Sequence, residues 1–137
     1  MSNADRVTPR RRAAERRGRR SELLAALFLR AKLYRILARR VRTRAGEIDL
    51  VARSPSGVVC FIEVKARRGA LLALEAVMPK QQARIARAAE LYLSVRPALA
   101  KSPVRFDIVT VSPRALPRHV RDAWRPDDIG FRLSRMA

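Results

Sequence analysis

Residues 46–68, "GEIDLVARSPSGVVCFIEVKARR", decide the fold. The first part alternates, which places Ile48 and Leu50 on one side of a strand and Glu47, Asp49 and Val51 on the other. "SPSG" is a turn signal, and "VVCFIEV" is β-branched and aromatic, the composition of a central strand. A β-hairpin is the natural reading. Yet these segments carry Asp49, Glu63 and Lys65 where burial is otherwise favoured, and burying an unpaired carboxylate is expensive.

Strand geometry narrows the possibilities. Glu63 and Lys65 lie two apart and therefore point to one face. Asp49 joins them only if paired positions sum to 112, which leaves a five-residue loop from Ser54 to Val58. A four-residue loop over 54–57 opposes Asp49 with Ile62 and throws the two acids onto opposite faces. The chemistry thus predicts the odd-length loop or an equivalent bulge. Two adjacent carboxylates repel unless a proton or cation lies between them. Hard oxygen ligands suit Mg²⁺, with the Val64 carbonyl as a further donor, and Lys65 beside them can orient water and offset charge on a phosphate. A surface hairpin with an exposed Glu63–Lys65 ion pair accounts for the same spacing and contributes little. The apolar "VVCFI" ahead of Glu63 favours the buried alternative.

Outward from the hairpin, residues 21–39 read as a helix, with Leu23, Leu27 and Ala31 in one row and Leu24 and Phe28 beside it. The stretch that follows leads into an extended segment, and Ala45-Gly46 breaks it before the hairpin. A second helix covers "PKQQARIARAAELYLSV", with Pro79 in its first turn and an apolar row of Ile85, Ala88, Ala89, Tyr92 and Val95. "PVRFDIVTV", residues 103–111, is a further strand. The tail reads as irregular up to a short strand or turn near "DIGFRL". Helices and strands in this order define a mixed α/β layer fold.

The whole chain has 137 residues and a net charge of +19, enough for one core and a strong attraction to polyanions. Of its 31 basic residues 27 are Arg; coding bias explains Arg over Lys, but not the shortage of acids, and a nucleic-acid partner is favoured. Residues 1–20 form a basic arm without a core face, expected to be flexible alone, ahead of a single domain over 21–137. Arg10, Arg11, Arg12, Arg16, Arg17, Arg19 and Arg20 of the arm, with Arg84 and Arg87 of the second helix, are the candidate phosphate contacts. No apolar run reaches the roughly 18–20 residues that span a bilayer, and "LLAALFL" lacks a cleavage site, so no membrane or secretory role is read. A single Cys60 permits no internal disulfide, and a cytoplasmic setting is expected.

The runs "GRRSELLAALFLRAKLYRILARRVRTRAGEIDLVAR", "FIEVKARR", "EAVMPKQQARIARAAELYL", "VRFDIVTV" and "HVRDAW" together resemble the YraN family over roughly residues 18–124. That family resembles the restriction-endonuclease-like PD-(D/E)xK nucleases, Holliday junction resolvases in particular. The resemblance implies a mixed sheet flanked by helices, with Asp49, Glu63 and Lys65 as the motif core and Mg²⁺ or Mn²⁺ as the cofactor. It also makes Glu22 a further metal ligand, Gln82 an auxiliary catalytic residue, and a homodimer plausible. Departures from the family pattern are Ser21 and Leu33 in place of Gly, Met78-Pro79 in place of Thr-Pro, a shortened "GALLAL" segment, and Gln81 in place of a basic residue.

Among the remaining candidates, Glu22 reads either as a site member or as a first-turn acid favoured by the helix dipole. Glu47 is read as a strand-edge charge in preference to a second carboxylate of the site, Asp107 as a structural partner of an Arg, and Cys60 and Trp124 as core. His119 has no Cys or second His near it, and no zinc site is read. The expected function is metal-dependent hydrolysis of DNA, with branched or structured DNA as the candidate substrate and DNA favoured over RNA. The alternatives are a non-catalytic nucleic-acid-binding module on a nuclease scaffold and, more weakly, an assembly factor whose arm binds a ribosomal or acidic partner.

Overall fold

The computed structural model describes residues 9–66 and 77–126, with the side chains of residues 10–17 outside the description. In chain order the elements are α1 (Pro9–Ala31), β1 (Arg35–Thr43), β2 (Gly46–Arg53), β3 (Val59–Ala66), α2 (Pro79–Ser94), a 3₁₀ turn (Pro97–Leu99), β4 (Val104–Ser112) and β5 (Ala115–Val120). Among the described residues the strands form one mixed sheet in the order β1-β2-β3-β4-β5. β3 and β4 are parallel and joined through α2, while the other neighbours are antiparallel. The central position expected for "VVCFIEV" is the one β3 occupies.

The predicted hairpin register holds. Leu50 pairs with Ile62, Val51 with Phe61, Ala52 with Cys60 and Arg53 with Val59, leaving the five-residue loop Ser54–Val58. Ser54 closes that loop: its N–H donates to Val58 O at 2.9 Å, and its hydroxyl accepts the Val58 N–H at 3.0 Å. Gly57 supplies the positive φ (91°) that the turn requires.

Two cores flank the sheet. One joins Phe61, Phe106 and Ile108 to Ile85, Ala88, Ala89 and Tyr92 of α2. The other joins Cys60, Ile62 and Val109 to Ala25, Ala26 and Leu29 of α1. Strand alternation explains the division for β3, because Val59 and Phe61 face α2 while Cys60 and Ile62 face α1. Trp124 is core as read, stacked on Phe106 at 4.3 Å.

Several expectations need correction. α1 begins at Pro9, inside the stretch read as an arm, and ends at Ala31; the following residues read as its continuation form edge strand β1. Its buried face is Glu22, Ala25, Ala26 and Leu29, whereas Leu23, Leu24 and Leu27 are 44–50% exposed. Small residues let this helix lie close to the sheet, and the larger leucines therefore point outward. On α2 the buried row runs through Ala86 and Leu93, and Val95, beyond the helix end, is exposed. The last described strand is β5, at residues 115–120, and "DIGFRL" lies outside the described residues. Finally, Ile48 packs on the α2 side and Leu50 on the α1 side, although they are two apart. The alternation slips at Asp49, and Arg40, which stands between the pairs Arg39–Leu50 and Val41–Ile48, has φ +52°.

Leu33, just after α1, also has a positive φ, +68°. Tyr34 N–H donates to Leu29 O and Leu33 N–H to Arg30 O, the hydrogen bonds of a Schellman helix end. That motif places its C′ residue in the left-handed region, so a side chain there is strained. At the start of α2, Met78 makes no side-chain cap, and Pro79 occupies the first turn.

Candidate metal centre and its surroundings

The slip in β2 assembles the site. Past Leu50–Ile62 the hairpin strands cease to ladder, and the Val64 N–H donates instead to Asp49 Oδ2 at 2.8 Å. Asp49 therefore replaces a main-chain acceptor with a carboxylate at the point where the strands part. From there it meets acids on both sides. Carboxylate oxygens of Glu22, Glu47 and Asp49 all lie within 4.8 Å of one another. Asp49 also lies close enough to the Glu63 carboxylate to feel its charge.

On the α2 side, Glu63 and Lys65 share a face, with Lys65 Nζ 3.5 Å from Glu63 Oε1. Gln81, in the first turn of α2, joins them: its Nε2 donates to Glu63 Oε1 at 2.7 Å, and its Oε1 accepts from Lys65 Nζ at 3.3 Å. On the α1 side, Arg40 Nε donates to Glu22 Oε2 at 2.8 Å. Gly46 draws α2 close to this end of β2, since a Cβ on it would meet the Arg84 Cβ at 3.4 Å.

Electrostatically the cluster is short of positive charge. Burial, then the neighbouring Glu63 carboxylate, push Asp49 up to about 7, against the pull of the Val64 N–H. Glu22 is also raised, by burial first and by Asp49 and Glu47, although Arg40 opposes the shift. Among the described residues, the carboxylates of Glu22, Glu47, Asp49 and Glu63, fully ionised, are ion-paired with two cations, Arg40 and Lys65. The excess is two negative charges. One divalent ion cancels it, and an all-oxygen donor set fits Mg²⁺ or Mn²⁺ rather than a softer metal.

The structure brings Glu22, Asp49 and Glu63 together, with Lys65 beside them. It does not bring Gln82: that side chain donates to Val77 O at 2.8 Å, back toward the start of α2. Gln81 takes the place beside the acids, because one helical step turns a side chain by about 100°. Glu47, read as a strand-edge charge, belongs to the cluster. Its place on the same strand side as Asp49 is what regular alternation gives; what the sequence does not announce is that Glu22 of α1 meets both of them. Arg19, Arg20, Arg84 and Arg87 are exposed, and the side chains of Arg10, Arg11, Arg12, Arg16 and Arg17 lie outside the description.

A second polar cluster lies on the α1 face of the sheet. Asp107 is fully buried and accepts two hydrogen bonds from Arg105, one from His119 Nε2 and one from Asp122 N–H, all at 2.8–3.0 Å. Burial alone would raise its carboxyl, but hydrogen bonds from His119, Arg105 and Asp122 hold it below the usual range. The Arg partner expected for Asp107 is thus Arg105, and His119 serves the same acid, taking Lys32 Nζ at 2.7 Å on its other nitrogen. Cys60 lies in this core with its thiol pushed up to about 12 by burial and then by Asp107.

A five-stranded mixed sheet flanked by two helices, carrying D…ExK at a strand divergence, is the architecture of a restriction-endonuclease-like α/β protein. Residues 21–111 match the family described as uncharacterised protein family UPF0102. A UPF0102 protein of Parvibaculum lavamentivorans is 51% identical over 114 residues, covering 83% of this chain and 85% of that protein. One from Paramagnetospirillum magneticum is 51% identical over 119 residues, covering 84% and 92%. One from Rhizobium etli is 49% identical over 124 residues, covering 90% of this chain and all of that relative. The chain belongs to UPF0102, the YraN family. Among the described residues no helix is long and apolar enough to cross a membrane.

Proposed function

We propose that the protein is a metal-dependent endonuclease that hydrolyses phosphodiester bonds of DNA. The observation that carries this reading is the convergence of Glu22, Glu47 and Asp49, with Glu63 close enough to raise Asp49 and Lys65 on the same strand face as Glu63. Asp49 and Glu63 would hold Mg²⁺ or Mn²⁺, with Glu22 and Glu47 completing the charge balance. The bound ion would supply Lewis-acid stabilisation of a phosphate. Lys65, kept in place by Glu63 and Gln81, presents an ammonium for the charge that develops on the phosphate oxygens and a donor that orients water. Exposed Arg84 and Arg87, one turn apart on α2 with Arg84 against Gly46, would grip the backbone of the strand being cut.

The test is an assay on duplex, flapped, four-way and single-stranded DNA with Mg²⁺ or Mn²⁺. Cleavage by the wild type that falls at least 100-fold in Asp49→Asn and Glu63→Gln supports the proposal, an expectation of roughly the size attached to losing a metal ligand. Equal cleavage by those variants refutes it. Salt-sensitive DNA binding without metal dependence would instead identify a non-catalytic module on the same scaffold.

A further inference from the structure

Among the described residues, Leu33, Arg40 and Asp122 are the non-glycine residues with positive φ. The helix end explains Leu33, and Asp is a residue that tolerates this region. Arg40 has neither excuse. It stands within a strand, at φ +52°, opposite the point where Asp49 breaks the alternation, and its guanidinium spans to Glu22 on another element at 2.8 Å. Both side chains of this pair are largely shielded, Arg40 at 29% and Glu22 at 12% exposure. A backbone outlier held by a charged contact in a candidate site points to a role for the side chain it aims.

Arg40 carries the positive charge that the Glu22 side of the cluster has when no metal is bound; Lys65 serves the Glu63 side. A divalent ion held by Asp49 and Glu63, with the Glu22 and Glu47 carboxylates within 4.8 Å of Asp49, would sit near that guanidinium, and like charges at such range repel. The ion would weaken the ion pair and free a planar fork of donors at the rim of the site. That fork matches a phosphate better than any other side chain does.

We propose that Arg40 is a resident counter-ion: it holds Glu22 while the site lacks a metal, and it passes to a substrate phosphate once a divalent cation takes its place. This rests on the nuclease reading and adds a consequence to it. Metal and DNA then bind with positive coupling, because each favours the arrangement in which Arg40 has left Glu22.

Arg40 Nε–H is the donor in the ion pair, so its ¹H–¹⁵N signal reports the contact directly. Titrating the labelled full chain with Mg²⁺ is expected to move and broaden that signal as the site fills. A signal unchanged at saturating Mg²⁺ overturns the proposal. In Arg40→Gly, which keeps the backbone conformation and removes the charge, calorimetry is expected to show Mg²⁺ binding about tenfold tighter than wild type. Equal or weaker binding overturns it, and Arg40→Asn gives the same comparison if the glycine variant does not fold. With Ca²⁺ holding DNA uncut, wild type should bind a duplex several-fold more tightly than without the ion, and Arg40→Gly should lose most of that gain; a retained gain contradicts the exchange. Wild type that binds no divalent ion refutes the nuclease reading and this inference with it. Wild type that binds the ion while Arg40→Gly behaves identically refutes the inference alone.

Discussion

Asp49, half-buried, and Asp107, fully buried, are carboxylates next to the central strand, and their surroundings push them in opposite directions. Asp107 is met by Arg105, His119 and the Asp122 N–H, and lies below the usual carboxylate range. Asp49 is met by one N–H and by other acids, and is pushed up to about 7. The sheet that satisfies one acid completely leaves the other short of charge. A fully satisfied buried acid contributes to stability, whereas an under-compensated one detracts from it and marks the place where a cation belongs.

The widest separation is expected in stability. Asp107→Asn leaves Arg105 without its counter-ion in a core that excludes water, and urea unfolding should show a loss of about 3–5 kcal/mol. A loss under about 1 kcal/mol would mean that Asp107 is not the anchor its partners imply. The same acid sets a pH signature. Because its folded value is lowered, its contribution is present above the ordinary carboxylate range and disappears as pH falls through the folded value.

Asp49→Asn should act in the other direction. The raised value means that the folded protein binds a proton more tightly than the unfolded chain between about 4 and 7. Wild-type stability therefore declines as pH rises through that window. The neutral variant, whose amide oxygen can still accept the Val64 N–H, should escape the decline and be more stable by about 1–3 kcal/mol at pH 8, with little difference near pH 3.5. Equal stability at both pH values would show that neither burial nor Glu63 raises Asp49.

A smaller effect should appear where α1 hands over to the Asp107 network. Leu33 lies between Lys32, which reaches His119, and Tyr34, whose hydroxyl accepts from Arg105. Leu33→Gly removes the left-handed strain and should stabilise by about 1 kcal/mol in thermal or urea unfolding. A destabilised variant would show that the exposed leucine makes a contact worth more than its strain. On the Asp49 side, the double change Arg84→Ala with Arg87→Ala should leave stability within about 0.5 kcal/mol and lower the salt slope of DNA binding by about 2. An unchanged slope would remove α2 from the DNA-binding surface.

How much of this was legible in sequence follows from which forces are local. The hairpin register could be read because loop length and side-chain parity are tied together, and the structure has the five-residue loop that puts Asp49 and Glu63 in line. The Arg partner of Asp107 was readable as a class, since Arg105 is two residues away on the same strand face. His119 was not readable, because it arrives on β5, in a proline-punctuated stretch taken for irregular chain. Side-chain size misled the reading of α1: large leucines suggest a core face, but the sheet admits Ala25 and Ala26 and leaves Leu27 half exposed. Gln81 and Gln82 differ by one helical step, and only the seat of α2 on the sheet decides which one meets Glu63. The slip at Asp49 and Arg40, which sends Ile48 and Leu50 to opposite cores, has no marker in local propensity. It comes from tertiary contacts, and it makes the site.

The most direct measurement is the number of protons released when the ion binds. Calorimetric titration of the wild type with Mn²⁺, in two buffers of different ionisation enthalpy, should show nearly one proton displaced at pH 6 and almost none at pH 8.5, as a metal replaces the proton held between Asp49 and Glu63. Binding with no proton release at pH 6, or no binding at either pH, would contradict the account.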